Sequence, residues 1–121
     1  MTDFPHRKSP CAECPWRTDV PLGKFTPARF RALAPTAYDM ARSIFACHMA
    51  KDAKPFACAG FLLRSARHNL TVRMAIAREA FKMDVVDGGH ALFPTYRAMA
   101  IANGVKKRDP ALANCRADGA M

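Results

Sequence analysis

Several short stretches of the sequence carry apolar residues at the three- and four-residue spacing of an amphipathic helix, and prolines or glycines separate them. Alternating runs of β-branched residues, which would indicate strands, are nearly absent. The predicted helices cover residues 27–34, 36–44, 57–67, a segment capped by Asn69, and 92–103. The pattern therefore predicts a mostly α fold of about four to five helices.

The helix that Asn69 caps shows apolar residues on two faces. One stripe is formed by Leu70, Met74, Ala77 and Phe81, and the other by Val72, Ile76 and Ala80. A helix that is apolar on two faces is expected to lie buried at the centre of the protein.

A chain of 121 residues suits a single small domain, and its prolines and polar segments divide it into three parts. Residues 1–25 contain four prolines and are predicted to form an irregular, ligand-bearing arm. Residues 26–104 are predicted to form the helical core, and residues 105–121 a loose, basic tail.

No apolar run is long enough to span a bilayer, and no hydrophobic segment follows the polar N-terminus. We therefore expect a cytoplasmic protein without membrane contact, in which thiols stay reduced. The odd number of cysteines, five, also argues against a disulfide framework.

Four of the cysteines have the spacing of a metal site. Cys11 and Cys14 form a CxxC pair that Pro15 keeps out of a helix, and Cys47 and Cys58 flank a polar loop. Four thiolates would complete a tetrahedral ion site or hold a cubane cluster, and would clip the arm to the helical core. The alternatives are ordinary buried cysteines and a thioredoxin-like redox pair, although the latter needs strands that the sequence lacks.

The identity of the metal stays open between zinc, the commoner occupant of four-cysteine sites, and a 4Fe-4S cluster. Three neighbours of the cysteines are expected to support the site. His48 could replace Cys47 as a zinc ligand or steady a thiolate, and Trp16 could cover the sulfurs or simply pack in the core. Arg17 could bond to a thiolate or a carbonyl, and Cys115 is placed outside the site.

Three segments of the chain together resemble a known but uncharacterised protein family. They are Cys-x-x-Cys-Pro-Trp-Arg at 11–17, Phe-x-Cys-His at 45–48 and Cys-Ala-Gly-Phe at 58–61. This combination is similar to the signature of a family of small bacterial and phage proteins. The resemblance implies a shared cysteine site and assigns no activity.

No phosphate-binding loop, zinc-protease motif, deaminase motif or nucleophile elbow is present, so no catalytic residue is predicted. The net charge of +9 indicates a partner such as nucleic acid or an acidic macromolecular surface. Candidate phosphate contacts, which could equally form a solvated face, are Arg64, Arg67, Arg73, Lys106, Lys107 and Arg108.

Two functional classes follow from these features. The first is a non-enzymatic, metal-stabilised interaction module that binds nucleic acid or a host or phage regulatory complex. The second is an iron-sulfur protein that senses redox state or transfers electrons, as an accessory of DNA processing.

Overall fold

The computed structural model describes residues 4–47 and 56–116. These residues contain the helices α1 (Pro27–Leu33), α2 (Ala59–Arg64), α3 (Leu70–Ala77) and α4 (Tyr96–Ala102), with 3₁₀ helices at Ala34–Ala37 and Pro110–Leu112. Extended backbone in the described ranges pairs only in isolated β-bridges and not in a sheet. The prediction of a small, mostly helical protein is confirmed.

Three of the helices begin at a side chain that accepts a hydrogen bond from the backbone of the first turn. Thr26 accepts from the N–H of Arg29, Asn69 accepts from Val72, and Thr95 accepts from Ala98. These bonds satisfy amides that have no partner within a helix. The sequence correctly predicted the caps at Thr26 and Asn69.

The predicted helix over 36–44 is wrong. Its first residues belong to the 3₁₀ helix Ala34–Ala37, and the chain then turns through Met40, which has a positive φ of 57°. Beyond the turn the backbone is irregular, and its carbonyl oxygens accept hydrogen bonds from side chains at the start of α3. Asn69 Nδ2 donates to Ser43 O at 2.7 Å, and Thr71 Oγ1 donates to Arg42 O at 2.6 Å. These contacts replace the hydrogen bonds that a helix would have made.

The predicted helices 57–67 and 92–103 are longer than the helices that form. Ala57 lies before α2 and forms β-bridges with both His6 and Ala46. Leu92 forms a bridge with Arg17 and lies before α4. Residues that helical spacing assigned to a helix are therefore extended, because their backbone pairs with distant segments.

The prediction of a buried central helix after Asn69 is also wrong. Only Val72 and Ala75 of α3 are buried. Met74 and Ile76 are 53% and 38% exposed, respectively. The helix therefore lies at the surface and packs through one narrow face.

The core is built around Trp16, whose side chain is fully buried. Its ring contacts Phe45 and Tyr96 edge-on, with ring centroids 6.0 and 5.9 Å apart. The irregular arm thus supplies the largest core residue, and it lies against α4 and the segment before Cys47.

The segment after α4 is not the loose tail that the sequence predicted, at least as far as residue 116. Val105, Leu112 and Cys115 are buried, and Cys115 forms a β-bridge with Tyr38. Among the helices that the structure describes, none is long and apolar enough to cross a membrane.

Candidate metal centre

The backbone brings the four predicted ligands to one region of the core. Cys11 and Cys14 share a turn, in which the N–H of Cys14 donates to Cys11 O at 3.2 Å. Cys47 and Cys58 lie on facing segments, because Cys47 N bonds to Phe56 O at 2.8 Å and Cys58 N to Phe45 O at 2.9 Å. All four side chains are buried.

The thiols form two pairs, and each pair joins the arm to the core. The sulfurs of Cys14 and Cys58 are 3.7 Å apart. In the other pair, Cys11 interacts with Cys47: burial raises the pKa of Cys11, and the charge of Cys47 and a hydrogen bond with it raise this pKa further. The charge of Cys14 acts on Cys11 in the same direction, which makes the two pairs neighbours.

The two pairs do not yet form a closed ligand set. In residues 4–47 and 56–116, no group of three histidine, cysteine, aspartate or glutamate side chains has the arrangement of a metal site. A single ion bound by all four sulfurs would therefore have to draw the pairs together. The donor type fits, since cysteine thiolates are the usual ligands of structural zinc sites and of iron-sulfur clusters.

Within the Cys14–Cys58 pair the two sulfurs differ sharply in acidity. A hydrogen bond from Cys58, together with the N–H groups of Trp16, Gly60 and Arg17, outweighs burial and lowers the pKa of Cys14 to about 7. The same hydrogen bond, burial and the charge of Cys14 raise the pKa of Cys58 well above its usual value. Cys14 is therefore the sulfur of the pair that ionises more readily.

Backbone amides two or three residues after a cysteine act on its sulfur at three of the four positions. They lower the pKa of the cysteine, because an N–H dipole stabilises the thiolate. The amides belong to Glu13 for Cys11, to Trp16 and Arg17 for Cys14, and to Gly60 and Phe61 for Cys58. This arrangement favours the charged form that a metal ligand must take.

Gly60 was not predicted as part of the site, yet the contact with Trp16 requires a glycine there. A Cβ at Gly60 would lie 2.4 Å from Trp16 Cβ and 2.5 Å from Trp16 Cγ. The contact seats the indole against the start of α2, where Cys58 is the N-cap. The signal in the sequence was a glycine within the Cys58–Phe61 motif.

Trp16 packs in the core, which is one of the two roles that the sequence left open, and the covering of the sulfurs stays a prediction. Its indole Nε1 is buried and has no hydrogen-bond partner in the described part of the chain. An unsatisfied indole N–H costs roughly 1–3 kcal/mol, so the apolar contacts of the ring must outweigh this penalty.

The side chain of Arg17 bonds to the backbone of the CxxC turn. Its guanidinium donates to Cys11 O at 3.2 Å and to both carboxylate oxygens of Asp19, at 2.8 and 2.6 Å. The hydrogen bond from Arg17 lowers the pKa of the Asp19 carboxyl. Arg17 thus reaches a carbonyl of the site, and Asp19, which the sequence did not single out, orients it.

The sequence also singled out His48 and Cys115. His48 lies outside the described residues. Cys115 lies near the carbonyl oxygens of Ala34 and Ala111, at 3.7 and 3.8 Å from its sulfur. Burial raises the pKa of Cys115 to about 11, so it is a neutral thiol at physiological pH.

The predicted basic patch is not built as the sequence suggested. Arg64 is the last residue of α2, and Arg67 follows the end of that helix, so the two do not share a helical face. The remaining members lie on other segments, with Arg73 on α3 and residues 106–108 after α4, and all of these are exposed. Nucleic-acid binding through these residues stays a prediction.

Comparison with known proteins gives a match to a family model. No curated protein and no solved structure matches the chain. A family model described as a family of unknown function, DUF6283, matches residues 6–116, which include the five cysteines. The expectation of an uncharacterised family is confirmed: the chain belongs to the DUF6283 family of unknown function.

Proposed function

We propose that this protein binds one zinc ion through Cys11, Cys14, Cys47 and Cys58, and that it acts as a non-enzymatic interaction module held together by that ion. The observation that carries the proposal is the pairing of the sulfurs. Each cysteine of the arm lies beside a cysteine of the core.

The distance between the sulfurs favours a single ion. Zinc–sulfur bonds of about 2.3 Å in a tetrahedron place two sulfurs about 3.8 Å apart. The Cys14 and Cys58 sulfurs are 3.7 Å apart. In a cubane cluster each cysteine binds a different iron, so its sulfurs lie further apart than on one ion. The 4Fe-4S cluster remains the alternative that the test must separate.

The ligand set supports a structural role for the metal. Four thiolates fill the tetrahedral positions of zinc and leave none open for water or substrate. Cys14 and Cys58 are 44 residues apart in sequence, so the ion would close a long loop and stabilise the fold by restricting the unfolded chain. The function then depends on the protein surface that the metal-bound cysteines hold in place.

Purification without oxygen, followed by metal and sulfide analysis, tests the proposal. We expect colourless protein with about one zinc per chain. Cys58→Ser should lose most of the metal, while Cys115→Ser, which changes an equally buried cysteine outside the four, should retain it. Brown protein containing iron and sulfide would show that the site holds a 4Fe-4S cluster and not zinc. Protein without metal, or equal loss in both variants, would refute the site.

A further inference from the structure

The outer face of α3 carries an apolar stripe that the protein does not cover. Leu70, Met74 and Ala77 follow one another at the spacing of a helical face. Leu70 is half-buried, and Met74 and Ala77 are exposed. The sequence predicted this stripe to face the core, but the buried residues of α3 are Val72 and Ala75 on its other side. Met74 and Ala77 thus form a small exposed apolar surface beside the partly exposed Leu70.

Two arginines border the stripe. At 100° per residue, Arg73 lies on one side of the stripe. Arg78 is the C-cap of α3, and because its N–H still donates to Met74 O at 3.0 Å, it lies on the other side. Both are exposed, and neither takes part in any ion pair found within residues 4–47 and 56–116. Ile76, which is 38% exposed, follows Met74 by two residues and therefore lies on nearly the opposite side of α3, outside this face.

We propose that this face of α3 binds an acidic, amphipathic segment of a partner protein. The proposal rests on the proposed interaction role and names the chemistry of the partner. Apolar side chains of the segment would cover Met74 and Ala77, and its carboxylates would pair with Arg73 and Arg78. Methionine suits such a surface, because its flexible side chain adapts to different apolar partners.

Charge and composition distinguish this partner from the other occupants. A second copy of the chain would bring one strongly basic protein, of net charge +9, against another. Single-stranded nucleic acid stacks its bases on aromatic side chains, whereas α3 itself contains none. A helix that lies in a membrane surface carries tryptophan, phenylalanine or leucine over a broad face, and α3 spans only eight residues.

The test uses a fluorescent synthetic peptide of about 16 residues, with leucines on one helical face and glutamates on the other. A peptide of equal charge with serines in place of the leucines serves as the control. Fluorescence anisotropy should show binding of the first peptide and at least about tenfold weaker binding of the second.

Matched variants locate the binding. Met74→Ser combined with Ala77→Ser should weaken the affinity about tenfold or more. Two single changes should leave it unaltered: Ile76→Ser, on the opposite side of α3, and Leu22→Ser, at a position elsewhere that is 58% exposed. Arg73→Gln with Arg78→Gln should weaken it more than Lys106→Gln with Lys107→Gln, which removes the same net charge. Metal content and circular dichroism should be unchanged in all of them, so failure here and failure of the zinc site remain distinguishable.

Several results would overturn the proposal. They are absence of peptide binding at millimolar concentration, equal binding of the serine peptide, and equal effects of the control variants. Binding of a single-stranded oligonucleotide or of anionic vesicles that competes with the peptide and depends on Met74 would assign the face to that ligand instead. Self-association that Met74→Ser abolishes would assign it to a second copy.

Discussion

Gly60→Ala tests whether the contact between the arm and α2 is as tight as the structure indicates. A Cβ at this position would lie 2.4, 2.5 and 2.8 Å from Cβ, Cγ and Cδ1 of Trp16. The indole is fully buried between Phe45 and Tyr96 and cannot swing away. Forcing a methyl group into such a core costs about 1–3 kcal/mol or more.

Helix propensity makes the opposite prediction for the same substitution. Within a helix, alanine is favoured over glycine by about 1 kcal/mol, so Gly60→Ala would be stabilising if nothing lay against it. We expect a net loss of about 2 kcal/mol in the free energy of unfolding, which lowers the Tm by roughly 5–10 °C. Ala77→Gly, on the exposed face of α3, measures the propensity effect alone.

The measurement is denaturant unfolding of the metal-loaded protein, followed by the fluorescence of Trp16, which is the single tryptophan. Circular dichroism of the native state checks that the variant still folds. If Gly60→Ala proves neutral or stabilising, Trp16 does not pack on α2 as described, and the position of Cys14, two residues before it, must be reconsidered.

Three further predictions concern a cap, a buried thiol and the metal itself. Asn69→Ala should destabilise the protein by about 2 kcal/mol, because it removes both the α3 cap and the hydrogen bond to Ser43 O. Thr26→Ala removes only a cap and should cost about 1 kcal/mol. Equal losses of stability in thermal melts would contradict this difference. Cys115 has its pKa raised from 9.0 to about 11 in the folded state, so its contribution to stability is present below pH 9 and is lost as the pH rises toward 11. Melting curves of the wild type and Cys115→Ala should therefore converge over that interval, and a constant difference would refute the assignment. Removal of the metal with a chelator should shift the fluorescence emission of Trp16 to longer wavelength, because the arm would separate from the core and expose the indole to water. An unchanged spectrum would argue against a metal that holds the arm to the core.

Local signals in the sequence predicted the features that depend on neighbouring residues. Thr26 with Pro27 and Asn69 mark helix starts because a cap needs only the first turn that follows it. Gly104, with a φ of 104°, follows the end of α4 for a similarly local reason. The number and spacing of the cysteines also allowed four of them to be proposed as ligands, and that site stays a prediction.

Features set by distant segments could not be predicted in the same way. The helix expected over 36–44 does not form, because Asn69 and Thr71 bond to carbonyls in that stretch. The sequence showed two apolar stripes on α3, and only packing decides that Val72 is buried while Met74 faces outward. Likewise, spacing could propose the four ligands but could not pair Cys14 with Cys58.

The most direct test of the central claim is X-ray absorption at the zinc edge of the purified protein, combined with its metal stoichiometry. We expect about one zinc per chain, surrounded by four sulfur atoms at about 2.3 Å. Cys47→Ser should remove one sulfur from that shell, whereas Cys115→Ser should leave it intact. A shell with fewer than four sulfurs in the wild type, iron with inorganic sulfide, or no bound metal would contradict it.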